Sequence, residues 1–266
     1  MFEQFDIAVI GAGIAGASVA ANLAKAGQRV VLLEMESQPG YHTTGRSAAV
    51  YSPIYGPQPI RALTRASLAF YENPPEEFAG RSLLSPFAAA FVARDDQLEH
   101  LATMETELAD AETVVRIDSQ EVSKRLPLLR KGYAAAALWD SGTSEIDVAA
   151  LHQGYLRQFK TAGGILMTGA EVMVLERDAG QWSLQTRQGG WAAQTVINAA
   201  GAWADALGEM AGAERIGLLP KRRTALMVDA PDGYDTKSLP LVIDVQEQFY
   251  LKPDAGKLLI SPANED

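Results

Sequence analysis

A β-favouring run that breaks into a glycine turn, a small-residue helix and a second strand ending in an acid predicts an α/β protein carrying a Rossmann-like dinucleotide-binding domain. Later segments leave this rhythm and then return to it. That predicts a second, α+β domain on a mainly antiparallel sheet, interleaved with the first. Length agrees, because 266 residues exceed one average domain.

The opening unit is "DIAVIGAGIAGASVAANLAKAGQRVVLLE". Asp6–Ile10 is the strand, Gly11-Ala12-Gly13-Ile14-Ala15-Gly16 the turn, Ala17–Ala26 the helix ended by Gly27, and Gln28–Leu33 the second strand. Gly11 permits the tight turn, Gly13 lets the backbone approach a pyrophosphate, and Gly16 lets helix and strand pack closely. Free N–H groups at the helix start face the phosphates. Glu34 follows Gly16 by 18 residues and is placed to accept from ribose hydroxyls. Its charge would repel a 2′-phosphate, which disfavours NADP. The motif does not by itself separate NAD from FAD.

Composition narrows the function classes. A net charge of -10 argues against a nucleic-acid groove, and the compact basic cluster Lys221-Arg222-Arg223 is too short to overturn this. There is no cysteine, hence no disulfide, thiolate metal site or thiol nucleophile, which fits a reducing compartment. Three scattered histidines offer no metal-ligand spacing, so no metal is expected. The apolar run Ile7–Ala21 lacks a basic flank and carries three glycines; it is neither a signal peptide nor a stable membrane insertion, and a cytoplasmic protein is expected.

After Glu34 comes Met35–Pro57, polar, aromatic and glycine-punctuated, where a regular NAD domain would place another helix and strand. Ile60–Tyr71 has helical spacing, with Leu63, Ser67 and Phe70 on one face, and Leu83–Ala93 is apolar and strand-like. Asp95–Ala111 is a solvated acidic helix, Val114–Leu129 a helix ended by Pro127, and Ala134–Trp139 a strand. Asp147 caps an amphipathic helix that stops at Gly163-Gly164. Strands follow at Ile165–Thr168 and Val172–Arg177, then a hairpin of Trp182–Thr186 and Trp191–Val196 turning at Gly189-Gly190. Thr195–Asn198 runs into Ala199-Ala200-Gly201, small enough for close backbone approach. "LLPKRRTALMVDA", "LPLVID" and "QFYLKPDAGKLLIS" complete the second domain as strands.

Four of these segments together, GAGIAG with Glu34, "HTTGRSAA" (His42–Ala49), "TVINAAGAWAD" (Thr195–Asp205) and "FYLKPDAGKLLIS" (Phe249–Ser261), resemble the glycine oxidase and D-amino-acid oxidase family (DAO, DadA-like) of FAD-dependent oxidoreductases. The resemblance covers nearly the whole chain. It implies that FAD is the cofactor, with residues 1–83 and 145–217 forming an FAD/NAD(P)-binding domain and residues 84–144 and 218–266 a substrate-binding domain. It also implies cofactor contacts from Gly11, Ala12, Gly13, Ile14, Ala15, Gly16 and Glu34; from Thr43, Thr44, Gly45, Arg46 and Ser47 on the flavin side; and from Val172, Ala200 and Gly201. Arg46 offers a fixed fork of donors for phosphate or carboxylate, a surface salt bridge being the alternative. Tyr250, in Tyr250-Leu251-Lys252-Pro253, is the substrate-carboxylate candidate, with an ordinary sheet aromatic as its competitor. His42 and Arg46 are further substrate-site candidates.

The activity implied is oxidation of a small amine or amino acid, of glycine, sarcosine or D-amino acid type. Hydride passes from the substrate α-carbon to flavin N5, the imine hydrolyses, and electrons leave to oxygen or a quinone. Relatives that oxidise 2-hydroxy acids keep C–O oxidation open, and a non-catalytic nucleotide-binding module is the reading from another class. A homo-oligomer is compatible with the sequence. Members of the family continue beyond this length to a glycine-rich turn that closes the cofactor site, so a truncated chain holding FAD weakly or not at all is expected.

Overall fold

The structure is a computed structural model that describes residues 2–264; Met1, Glu265 and Asp266 lie outside the described residues. In chain order the first half contains β1 (Glu3–Ile10), α1 (Ile14–Lys25), β2 (Val30–Leu33), β3 (Val50–Tyr51), α2 (Gln58–Glu72), β4 (Leu84–Pro86), β5 (Ala89–Ala93), α3 (Leu98–Glu107), β6 (Val114–Asp118), α4 (Ser119–Arg125) and β7 (Ala136–Asp140). The second half contains β8 (Ser144–Ile146), α5 (Val148–Thr161), β9 (Ile165–Met167), β10 (Val172–Asp178), β11 (Gln181–Thr186), β12 (Gly189–Asn198), α6 (Ala204–Met210), β13 (Leu226–Val228), β14 (Leu241–Asp244), β15 (Tyr250–Asp254) and β16 (Lys257–Ser261). Among the described residues these elements form two compact units, one of residues 2–49, 69–83 and 147–220, the other of residues 50–68, 84–146 and 221–264.

The first unit is built on a six-stranded sheet in the order β10-β11-β12-β1-β2-β9. β12, β1, β2 and β9 run parallel, and β10, β11 and β12 form an antiparallel meander. All four residues of β2 are buried, as befits a parallel strand covered on both faces. Alternation divides them: Val30 and Leu32 join α1 and α5, while Val31 and Leu33 join Phe5, Leu175, Leu184 and Trp191 on the opposite face. Helix α1 presents Ala17, Ala20, Ala21 and Ala24 at helical spacing. Leu156 and Phe159 of α5 pack beside them, and the Asp147 carboxylate caps α5 by accepting the Ala150 N–H at 2.8 Å.

In the second unit a seven-stranded sheet has the order β13-β16-β15-β14-β5-β7-β6, in which, among the described residues, β14 and β5 pair parallel and the other neighbours antiparallel. Ala89, Phe91 and Ala93 of β5 face Leu101 and Leu108 of the α3 segment, whereas Ala90 and Val92 face Val122 and Leu126 on the α4 side. A separate small antiparallel sheet has the order β3-β8-β4.

Several local expectations are corrected. Residues 114–118 are a strand, because Val114, Val115 and Ile117 pair with β7 and Asp118 then caps α4 through the Gln120 and Glu121 N–H groups at 3.0 and 2.9 Å. Gly189 and Gly190 lie inside β12, opposite Thr186 and Gln185; the turn is Arg187-Gln188, held by Thr186 Oγ1 accepting the Gln188 N–H at 3.0 Å. Leu83–Ala93 is interrupted into β4 and β5, and residues 218–225 form no strand. Helix α2 forms, yet Leu63 on its apolar face is 66% exposed. Residues 50–68, read from sequence with the first domain, group with the second unit, since Val50 and Tyr51 pair with Glu145 and Ser144.

Phe159 is fully buried between α1 and the sheet, and a Cβ on Gly164 would come within 2.0 Å of its ring. Truncating Phe159 to Ala is expected to cost about 3–5 kcal/mol. The check is a fall in the thermal unfolding midpoint larger than that caused by Leu63→Ala.

Candidate functional site

The parallel strands bring their ends to one edge: Ile10 lies opposite Asn198 on one side and Leu33 on the other. There Gly11 turns the chain at φ +100° while donating its N–H to the Leu33 carbonyl at 2.8 Å. A Cβ on Gly11 would fall 2.4 Å from the Ala199 carbonyl oxygen, and one on Gly16 only 1.7 Å from the Gly11 oxygen. Both glycines are therefore demanded by packing of the chain on itself. Gly13 differs, for a Cβ there would meet only Thr44 Oγ1, at 3.1 Å. Gly13 is also the extended N-cap of α1, without a side-chain cap and with no acid in the first turn. The Ile14 N–H donates to Thr44 Oγ1 at 2.9 Å.

Glu34, at the end of β2, is 7% exposed. Its Oε2 accepts the Ala12 N–H at 2.8 Å and its Oε1 the Glu36 N–H at 3.0 Å. The backbone on either side is tied to Met167 and Ala170. The carboxylate is thus locked against the glycine turn, with lone pairs left over for further donors.

Loop 40–47 closes on itself: Gly40 has φ +77°, and the Gly45 N–H donates to the Gly40 carbonyl at 2.7 Å. Thr43, Gly45, Arg46 and Ser47 are exposed, and Thr44 meets the start of α1. The Arg46 guanidinium lies over the Tyr41 ring, 4.9 Å from its centroid, and Nε donates to the Tyr41 carbonyl. His42 is engaged through Nε2 with Glu36 Oε1 at 2.8 Å and packs on Tyr41 and Trp203. Val172 and Ala200 pack on the same hydrophobic cluster as Val31 and Leu33. Gly201, at φ +54°, lies within a turn that Asn198 fastens by donating Nδ2 to the Ala204 carbonyl at 2.8 Å. The structure accordingly gathers Gly11–Gly16, Glu34 and Thr44 around one helix start.

Tyr250 belongs to the other unit. It opens β15 opposite Ile243 and Ser261, partly buried on the cluster of Phe91, Leu138 and Leu241. Two residues on, Lys252 is buried and paired with Glu145, with Asp254 at 3.8 Å. Tyr55 donates its OH to Glu247 Oε1 at 3.0 Å. Partial burial, then the bond to Glu247 and its charge, hold that phenol above its usual value of 10, against the opposing charge of Arg223. Sequence reasoning missed Tyr55, Lys252, Glu36, Trp203 and the buried His152, whose Nε2 lies 2.9 Å from the Ala12 carbonyl oxygen. Their main partners stand 100 or more residues away for Tyr55, Lys252, Trp203 and His152, while Glu36 meets His42 six residues on. Among the described residues no cluster of His, Asp and Glu could hold a metal, and no helix is long and apolar enough to cross a membrane.

Two outcomes follow from this geometry. Glu34→Gln turns one acceptor into an NH2 facing a backbone N–H, which costs about 1–3 kcal/mol; thermal unfolding monitored by circular dichroism reads it directly. Tyr55, Tyr71 and Tyr155 all have raised phenol values, led in each case by burial. Folding favours the protonated phenol, so their contribution is fully present below pH 10 and is lost as pH rises through the raised values. Alkaline titration followed by ultraviolet absorbance should show phenols ionising above 10 only in the folded chain.

The model of the family described as FAD dependent oxidoreductase (DAO) matches residues 6–266. Human mitochondrial dimethylglycine dehydrogenase is 26% identical over 268 residues, covering 98% of this chain and 30% of that protein. Glycine oxidase of Geobacillus kaustophilus is 26% identical over 277 residues, covering 98% of this chain and 70% of that protein. A crystal structure of glycine oxidase from Geobacillus kaustophilus shares the fold, with a TM-score of 0.85 at 24% identity over 99% of this chain and 72% of its own. This chain thus spans under a third of the dimethylglycine dehydrogenase and most of the glycine oxidase. With a glycine turn, a locked acid and a matching model over almost its whole length, the chain belongs to the DAO family of FAD-dependent oxidoreductases.

Proposed function

We propose that this chain provides the FAD cradle and part of the substrate-binding unit of an enzyme that oxidises a small amine or amino acid. The observation that carries the reading is the start of α1, whose N-cap residue is a glycine without a capping side chain, beside the locked Glu34 carboxylate. These groups fit a dinucleotide. The Gly13 and Ile14 N–H groups and the positive end of the helix dipole suit a pyrophosphate. Thr44 Oγ1 now satisfies the Ile14 N–H as a neutral acceptor; an anionic phosphate oxygen in its place makes a stronger, charge-assisted bond. The free lone pairs of Glu34 accept from ribose hydroxyls and its charge turns away a 2′-phosphate.

In this reading Ala12, Ala15 and Gly16 shape the turn, and Val172 holds the adenine through its backbone. Thr43, Gly45, Arg46 and Ser47 line the flavin side, and Ala200 and Gly201 let the backbone come close. His42, bonded to Glu36, props the loop and moves no proton. Tyr250 donates its neutral phenol to a substrate carboxylate. FAD, when bound, supplies the two-electron acceptor for oxidising the C–N bond to an imine, which water hydrolyses. The amine reading is supported by the names of the relatives, a glycine oxidase and a dimethylglycine dehydrogenase. Oxygen or a quinone would take the electrons onward.

The test is anaerobic titration of the FAD-loaded protein with glycine, N,N-dimethylglycine and D-alanine, beside the corresponding 2-hydroxy acids. Loss of the oxidised-flavin absorbance with an amine is the expected result, and reduction by hydroxy acids alone sinks the proposal. Tyr250→Phe should raise the apparent substrate KM by about tenfold through loss of one hydrogen bond to a charged group.

A further inference from the structure

His152 is the fifth residue of α5 and is 4% exposed. Its Nε2 lies 2.9 Å from the Ala12 carbonyl oxygen. A carbonyl only accepts, so Nε2 carries the hydrogen in this contact whatever the charge on the ring. The N–H of Ala12 is already given to Glu34 Oε2 at 2.8 Å. Ala12 is therefore gripped on both sides, by a carboxylate on its N–H and by an imidazole on its C=O. In a planar trans peptide the C=O of one residue and the N–H of the next point in opposite directions, and among the described residues no peptide bond is cis. Drawing the Ala12 carbonyl toward His152 therefore aims the Gly13 N–H the opposite way.

The same ring limits the second wall of the cradle. A Cβ on Gly40 would lie 2.8 Å from His152 Cε1 and 3.1 Å from Nδ1, so the loop passes directly against the imidazole. Gly40 in turn accepts the Gly45 N–H, next to the Thr44 hydroxyl that meets Ile14. One buried side chain thus touches both the glycine turn and the start of the 40–47 loop.

We infer that His152 is a positioning residue for the cofactor: it orients the Ala12–Gly13 peptide so that the Gly13 N–H faces the pyrophosphate, and it spaces loop 40–47 against that turn. The inference rests on the reading that this cradle takes FAD. Its role is distinct from catalysis, because the ring acts through backbone groups.

The test compares His152→Leu, which fills the space without a donor, with His152→Gln, whose Nε2 reaches the same carbonyl, and His152→Asn, which is polar but too short. FAD dissociation constants are read from quenching of flavin fluorescence at a temperature where each variant remains folded by circular dichroism. Amide exchange at Ala12 and Ile14 is read by NMR without FAD. The Leu and Asn variants are expected to bind FAD about tenfold more weakly, the value of one lost hydrogen bond, and to exchange these amides faster than β1 and β2 change. The Gln variant should recover most of both losses. If the Leu variant does not fold, the Asn and Gln pair carries the comparison. Unaltered FAD affinity in a folded Leu or Asn variant overturns the inference, as does equal loss in Gln and Asn. If the unsubstituted protein takes up no FAD, the cofactor reading fails, and the exchange rates alone decide the role of His152: unchanged rates at Ala12 and Ile14 reject it.

Discussion

The first unit depends on how closely α1 lies to the strand ends. Gly16 packs against the Gly11 carbonyl at a distance that admits no Cβ, and Gly11 packs as tightly against Ala199. From that contact follow the alanine face of α1 and the merging of β1, β2 and β12 at one edge. A larger residue at any of these positions would lift the helix and draw the donors apart. Helix α5 packs beside α1 in the same alanine-lined layer, which is how a residue 140 positions later comes to touch Ala12.

Electrostatics act on two scales. The chain carries a net charge of -10, which disfavours any approaching anion at long range. Salt confines that effect to about 8–10 Å under ordinary conditions. At the start of α1 the local field is that of the helix dipole, with no acid in the first turn to oppose it. The buried Glu34 side chain is held there by the Ala12 and Glu36 N–H groups, which it accepts.

The second unit is stiffened by buried polar groups. Asp244 is wholly buried and accepts from Gln97 Nε2 at 3.1 Å and from the Gln246 N–H at 3.0 Å, with Arg94 Nη1 at 3.6 Å. It thereby fastens the turn between β14 and β15, where Glu247 sits at φ +56° and receives the Tyr55 hydroxyl. Lys252 and Glu145 similarly join the large sheet of this unit to its small one. Such pairs cost desolvation, so their value lies in fixing one arrangement more than in net stability.

The sequence by itself determined the first strand-turn-helix-strand unit, because there every requirement is local: φ at Gly11, small residues along α1, and an acid at the end of β2. It also determined the family and its cofactor, and the capped helix beginning after Asp147. Where a strand begins or ends was less legible. Val114–Asp118 becomes β6 only because β7 lies beside it, and Gly189-Gly190 extends β12 only because β11 pairs across it. Tertiary structure alone decided that Thr44 meets Ile14, that His42 is bound to Glu36, and that His152 grips Ala12. Side-chain chemistry states what a residue can bond to, but only the packed chain decides which partner stands within 3 Å.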